Sequence, residues 1–125
     1  MVLRCTEDTW KCLQKNKRMR KVLVIGDDSY IGCKIKAWLD AFPSEYDVVI
    51  ISSRENKWKE ADYTKYGTVV NTAGIAHINN ITENMKPLFY AINRDLPINI
   101  GKICKENGVK HFIHFSSMNV YGDCC

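Results

Sequence analysis

KVLVIGDDSYIG, residues 21–32, is the stretch on which the fold turns. Its first half, KVLVIG, is an apolar, β-branched run that closes on glycine, the pattern of a buried strand. A helical period follows: Ile31, Ile35, Trp38, Leu39 and Phe42 recur on one face, and Pro43 ends it. Between strand and helix stands the turn GDDSYIG. A dinucleotide-binding turn needs one glycine for the bend, a second where backbone meets pyrophosphate, and a third where helix packs on strand. Gly26 and Gly32 stand in the first and third places. Ser29 holds the middle, where its Cβ takes room and its hydroxyl can donate to a phosphate oxygen. A helix that begins at Tyr30 and Ile31 aims its leading N–H groups and positive end at such a ligand. Asp27 and Asp28 oppose an anion unless they face solvent. On these residues alone, a plain strand–turn–helix reads equally well.

Outward from the turn, strand and helix alternate. DVVIIS (47–52) is a second continuous apolar strand, as expected where both sheet faces are covered. TVVNTAG (68–74) is a third and HFIHFS (111–116) a fourth. Between them, Met85, Leu88, Phe89 and Ile92, then Ile100, Ile103 and Cys104, mark helical faces, with Gly108 as the C-cap. Pro97 should kink that helix or split it, because its ring and missing N–H break the ladder. The alternation predicts an open α/β fold, a parallel sheet of about four strands with right-handed crossovers. After the second strand an acidic residue normally takes the adenosine 2′-hydroxyl of NAD. Here the chain reads Ser52, Ser53, Arg54, Glu55. Serine and arginine suit a 2′-phosphate, so NADP is favoured slightly over NAD, against the rival of a solvated loop arginine.

Composition bounds the rest. The chain has 125 residues, 46% hydrophobic and 26% charged, enough for one core. No apolar run approaches the roughly 20 residues of a membrane helix. The first residues lack the apolar stretch and cleavage site of a signal peptide, so a cytoplasmic protein is expected. The net charge of +4 is concentrated before the first strand, where seven basic residues meet only Glu7 and Asp8. Residues 1–18 are read as a basic extension, disordered or loosely helical, and 19–125 as the domain. Nothing in it carries a nucleic-acid signature. Six cysteines form no Cys-x-x-Cys pair, so no metal site is expected, and Cys33 and Cys104 are read as packing residues in a reducing compartment. His111 and His114, three apart on a strand, face opposite sides.

Taken in order, these motifs resemble the extended short-chain dehydrogenase/reductase superfamily, and within it the NAD-dependent epimerase/dehydratase family that includes UDP-glucose 4-epimerase. The resemblance covers residues 19–123. It implies a Rossmann-like domain that binds NAD or NADP. KVLVIGDDSYIG matches the family's strand and turn, with Ser29 for its central glycine. EADYTKYGTVVNTAG (60–74) is similar to the adenine-contacting Asp and the strand and turn after it. That implies Asp62 with Tyr63 at the adenine, and a cofactor floor at Asn71, Thr72, Ala73 and Gly74. AINRDLPINIGKICKENGVKHFIHFSSMNVYG (91–122) resembles the long helix with its Asn, here Asn93, and the strand with Ser-Ser-x-x-Val-Tyr-Gly. By resemblance Ser117 is the catalytic serine, which hydrogen-bonds the reacting sugar oxygen, and Tyr121 is a turn residue. From the residues alone, Ser117 also reads as a strand-end serine capping a turn. Asp27, Ser29 and Pro97 depart from the family pattern.

The relatives act on nucleotide sugars through a Tyr-x-x-x-Lys base beyond this strand, and none follows Ser117. The expectation is a cofactor-binding portion, truncated, lacking that motif and inactive alone. The alternative is a non-catalytic dinucleotide module that senses redox state or pairs with a protein. The fourth strand, expected between the first and an absent fifth, is then an edge through which copies can associate.

Overall fold

The structure is a computed structural model that describes residues 18–75, 80 and 82–117. The leader up to residue 17, Tyr121 and four of the cysteines (Cys5, Cys12, Cys124, Cys125) lie outside the described residues.

Four apolar runs form the sheet: β1 (Arg20–Ile25), β2 (Tyr46–Ile51), β3 (Thr68–Asn71) and β4 (His111–His114). All pairings are parallel, in the order β2-β1-β3-β4. The fourth strand is therefore the outer one, as expected, but its neighbour is β3 and not β1. The pairing registers Val22↔Thr68 and Thr68↔His111 start three strands level.

Alternation of side chains along each strand divides the core in two. Leu23, Ile25 and Val69 face one side, where Trp58, Tyr63, Leu96, Ile100 and Cys104 close over them. Val22, Val24, Val48 and Val70 face the other, under Ile35 and Leu39. Leu23, Ile25 and Ile100 are fully buried, each contributing about 1.5–3 kcal/mol by leaving water.

Helix α1 (Tyr30–Asp40) begins where Ser29 caps it: the Ser29 hydroxyl accepts from the Gly32 N–H at 3.3 Å. Its apolar face is narrower than its period suggests. Ile35 and Leu39 pack on β1 and β2, while Trp38, Ile31 and Phe42 are exposed. Trp38 and Phe42 instead meet each other on the surface, ring centroids 6.2 Å apart. Cys33, expected to pack inside, is exposed, and its Sγ donates to the Asp27 carbonyl. Cys104 is buried as expected.

After β2 come the short helix α2 (Lys57–Glu60) and a 3₁₀ turn (Tyr63–Lys65). After β3, helix α3 (Lys86–Tyr90) runs through a π turn (Ala91–Asp95) into α4 (Leu96–Glu106). Pro97 stands at the start of α4, where the helical path divides as expected. The π turn absorbs it one residue upstream, with the Leu96 N–H bonded to the Ala91 carbonyl, and Pro97 is buried in the first turn of α4. Gly108, at φ 71°, closes α4, with Val109 N–H on the Cys104 carbonyl and Gly108 N–H on that of Lys105.

β4 departs most from its expectation. It reads as a buried strand, yet its four residues are exposed, because α4 reaches it on one side only and α1 stops short on the other. Among the described residues no helix is long and apolar enough to cross a membrane, and no His, Cys, Asp or Glu cluster could hold a metal ion.

Candidate functional site

In a parallel sheet flanked by helices, the crevice outside the carboxyl ends of the strands is where ligands gather. Here that end is built around one hydroxyl. Thr72, just past β3, donates its Oγ1 to the Ile25 carbonyl at 3.0 Å, and its N–H bonds the same oxygen at 2.9 Å. Thr72 is thereby pressed into the turn after β1. A Cβ on Gly26 would stand 2.6 Å from Thr72 Oγ1, and one on Gly32 would stand 2.7 Å from it. Gly32 would also meet the Gly26 carbonyl at 2.6 Å. Gly26 has φ +121°, a region side chains seldom enter. Both glycines are thus required by contact, and the first also by conformation.

Ser29 takes the middle glycine's place without strain, at φ −80° and ψ 127°. Its side chain and carbonyl engage the N–H groups of Gly32 and Cys33. Tyr30 and Ile31 lead the helix with exposed side chains. The positive end of α1 therefore opens beside the two glycines, where an anion is stabilised.

Asp27 and Asp28, the two acids of the turn, are exposed, and Asp28 is not idle. Arg54 Nη2 donates to Asp28 Oδ2 at 2.6 Å. The pair ties the turn after β1 to the segment after β2, where the Arg54 N–H also bonds Ser52 Oγ. Ser53 is half-buried beside it.

Asp62 caps the 3₁₀ turn. Its Oδ1 accepts from the Thr64 hydroxyl and N–H, and Lys65 stands 3.5 Å from Oδ2. The Thr64 hydroxyl, then its N–H and Lys65, hold this carboxyl below the usual carboxylate range. An ionised carboxylate keeps lone pairs for a further donor. Tyr63 differs from its expectation. Its ring is 2% exposed in the core and its hydroxyl donates to the Trp58 carbonyl at 2.6 Å, so only its main chain is left for a ligand. Burial first, and Cys104 second, push its phenol upward.

The floor beyond β3 is clamped from two directions. Asn71, fully buried, accepts from the Ala73 N–H through Oδ1. Its Nδ2 therefore faces His114 Nδ1 at 3.2 Å, which fixes that ring nitrogen as acceptor. From the π turn, Asn93 Oδ1 accepts from the Ile75 N–H at 2.8 Å while Nδ2 donates to the Ile75 carbonyl at 3.0 Å. Ala73 is buried and Gly74 exposed between these clamps. Ser117 lies exposed beyond β4, at the same carboxyl end.

Gly26, Gly32 and Thr72 thus meet, Arg54 meets Asp28, and Asn93 meets the strand end beside Gly74. Sequence reading named Asn71 in the floor but missed its full burial, and it missed the Asp28–Arg54 tie. A polar residue closing an apolar strand was the available signal for that burial. It also passed over one Tyr-x-x-x-Lys spacing, Tyr30 with Lys34, so the chain does not lack the spacing altogether. That pair sits on the first turns of α1, with the ammonium 5.5 Å from the ring centroid, and not after β4.

The model of the NAD-dependent epimerase/dehydratase family matches residues 22–125. The chain belongs to that family. Among solved structures it is similar to UDP-glucuronic acid 4-epimerase from Bacillus cereus, solved as a variant with UDP-4-deoxy-4-fluoro-glucuronic acid and NAD. The TM-score is 0.62 at 22% identity over 84% of this chain. The chain spans 42% of that protein's length, so the likeness concerns the fold of one part. Among curated proteins none matches. Residues 26–32, Asp62 and Ser117 all fall inside the matched residues.

Proposed function

We propose that this chain is the NAD(P)-binding portion of a nucleotide-sugar epimerase or dehydratase. Family membership supports the chemistry, and the junction of Thr72 with Gly26 and Gly32 is the observation that carries the location. Gly26, Ser29, Tyr30, Ile31 and Gly32 hold the pyrophosphate through backbone N–H groups and the helix end. Asp62 and the main chain of Tyr63 take the adenine, and Ser53 and Arg54 border its ribose. Thr72, Ala73 and Gly74, held by Asn93, floor the nicotinamide side. When bound, the nicotinamide accepts and returns a hydride at a sugar carbon. Ser117 orients the reacting sugar oxygen and steadies its proton.

The 125 residues by themselves bind without turnover, because no Tyr-x-x-x-Lys base follows Ser117. The setting is cytoplasmic and reducing, with Cys33 and Cys104 as thiols. Copies associate through the outer strand β4.

The location is tested by titrating NADH into the purified chain and into Tyr30→Asp. Tyr30 is 77% exposed on the first turn of α1, so a carboxylate there suits the helix dipole and leaves the fold intact. It places one charge against the phosphates, worth about fivefold in affinity across a solvated gap. Unchanged NADH affinity with an unchanged melting temperature would remove the pyrophosphate from this turn.

A further inference from the structure

We propose that the Ser29 hydroxyl holds the place at the head of α1 that a pyrophosphate must take, so that a dinucleotide binds here by displacing it. The inference rests on the dinucleotide reading above. It gives Ser29 a role opposite to the phosphate donor that its place in the sequence suggests. The leading N–H groups of a helix have no partner within it. In α1 the Cys33 N–H is the first to find one, the Ser29 carbonyl at 3.0 Å. Of the three helical N–H groups before it, that of Gly32 is taken by Ser29 Oγ at 3.3 Å, and those of Tyr30 and Ile31 are left to an anion. The hydroxyl is thus an acceptor, folded back over the helix. It lies where the contacts are closest: a Cβ on Gly32 would stand 3.5 Å from Ser29 Cβ, besides meeting the Gly26 carbonyl and Thr72.

Space and charge together make this a competition. A phosphate oxygen bonded to a helix N–H stands about 2.7–2.9 Å from the nitrogen. Ser29 Oγ already lies along the Gly32 N–H, and two oxygens cannot both take that place. The anion wins, because a charge-assisted bond is about twice as strong as a neutral one. Displacing the hydroxyl still costs what a serine cap is worth to a helix, about fivefold in an equilibrium constant. Nothing in the backbone requires the arrangement. At φ −80° and ψ 127°, Ser29 stands where any residue can stand. Alanine or glycine there keeps the path of the chain and leaves the Gly32 N–H open. The capped turn is therefore stable when empty and yields to a ligand that brings phosphate charge. A neutral nucleoside has no charge with which to displace the hydroxyl.

The test measures affinities of the full 125-residue chain for NADH, ADP and adenosine by calorimetric titration, with melting temperatures alongside. Ser29→Ala removes the hydroxyl and keeps the Cβ. It should melt lower, having lost the cap, yet bind NADH and ADP about fivefold more tightly than wild type, with adenosine unchanged. A residue that merely supports the fold would lower stability and affinity together. Ser29→Gly costs a helix start little, so it should gain at least as much and decides the matter should Ser29→Ala not fold. Unchanged or weaker NADH binding in either folded variant, or an equal gain for adenosine, would overturn the proposal while leaving the dinucleotide reading intact. A wild-type chain that binds neither NADH nor ADP would overturn both.

Discussion

A methyl group at Gly32 has nowhere to go. Its two nearest neighbours would be the Gly26 carbonyl at 2.6 Å and Thr72 Oγ1 at 2.7 Å, one of them backbone. Gly32→Ala should therefore destabilise the chain by about 1–3 kcal/mol in urea unfolding, the range for overpacking. Thr72→Ala should not rescue it, since the carbonyl stays. A neutral Gly32→Ala would mean that the turn and β3 are not packed as described. The two glycines were legible because contact geometry forces their spacing. Tyr63 was not, because Asp62 and Tyr63 are adjacent and nothing local says which side chain turns inward. The core also sets a pH limit. Burial pushes the Cys104 thiol from its ordinary 9.0 to about 11. Between those values the unfolded chain releases this proton and the folded chain keeps it. Stability is thus complete below about pH 9 and falls as pH rises toward 11, by on the order of 2 kcal/mol. Tyr63, raised in the same direction, extends the fall at higher pH. Cys104→Ala should lower stability at neutral pH yet flatten its decline above pH 9, measured by unfolding at stepped pH. An equally steep decline would count against a buried thiol.

Strands were the easiest elements to read, since continuous apolar runs such as VLVI and VVII are what a sheet covered on both sides requires. The order β2-β1-β3-β4 was not readable, because no local signal tells a strand which side of β1 to join. The π turn was hidden for a related reason. Its residues have ordinary helical propensities, and Pro97 pointed to the break but not to the π turn that joins the two helices there. That turn has a use. It presents Asn93 to both main-chain groups of Ile75, at 2.8 and 3.0 Å. These two exposed bonds stabilise the fold by only about 0.5–1.5 kcal/mol each. They hold the floor beside Gly74, so Asn93→Ala should weaken NADH binding more than tenfold relative to any change in melting temperature, while Asn93→Asp, which keeps only the acceptor, should fall between. Loss of stability without loss of affinity in Asn93→Ala would make the clamp purely structural.

At the scale of the molecule the two faces of the sheet are unequally covered. α1 sits over β1 and β2, and beside it a groove of about 520 Å³ runs across β3 and β4, floored by Val22, Val70, Ile113 and Phe115. Ile113 and Phe115 remain 47% and 45% exposed. The strand's other liability is its backbone. The His111 and Phe115 N–H groups turn inward, to Gly67 and Asn71, so by alternation the main chain at Phe112 and His114 turns outward. Edge strands are commonly guarded by lysine, proline or a bulge, and HFIH has neither of those residues. Among the described residues, apolar floor and an outer ladder without a partner strand thus share one strand, and under the proposed association a second copy would satisfy both by pairing along β4. The 125-residue chain should accordingly self-associate with rising concentration in light scattering. Ile113→Lys places a charge on the groove floor at a half-exposed position. It should weaken association at least tenfold, about 1.4 kcal/mol, with little change in melting temperature. A wild-type chain that stays monomeric throughout the titration would refute pairing through this edge, and an Ile113→Lys chain that associates as before would move the contact elsewhere.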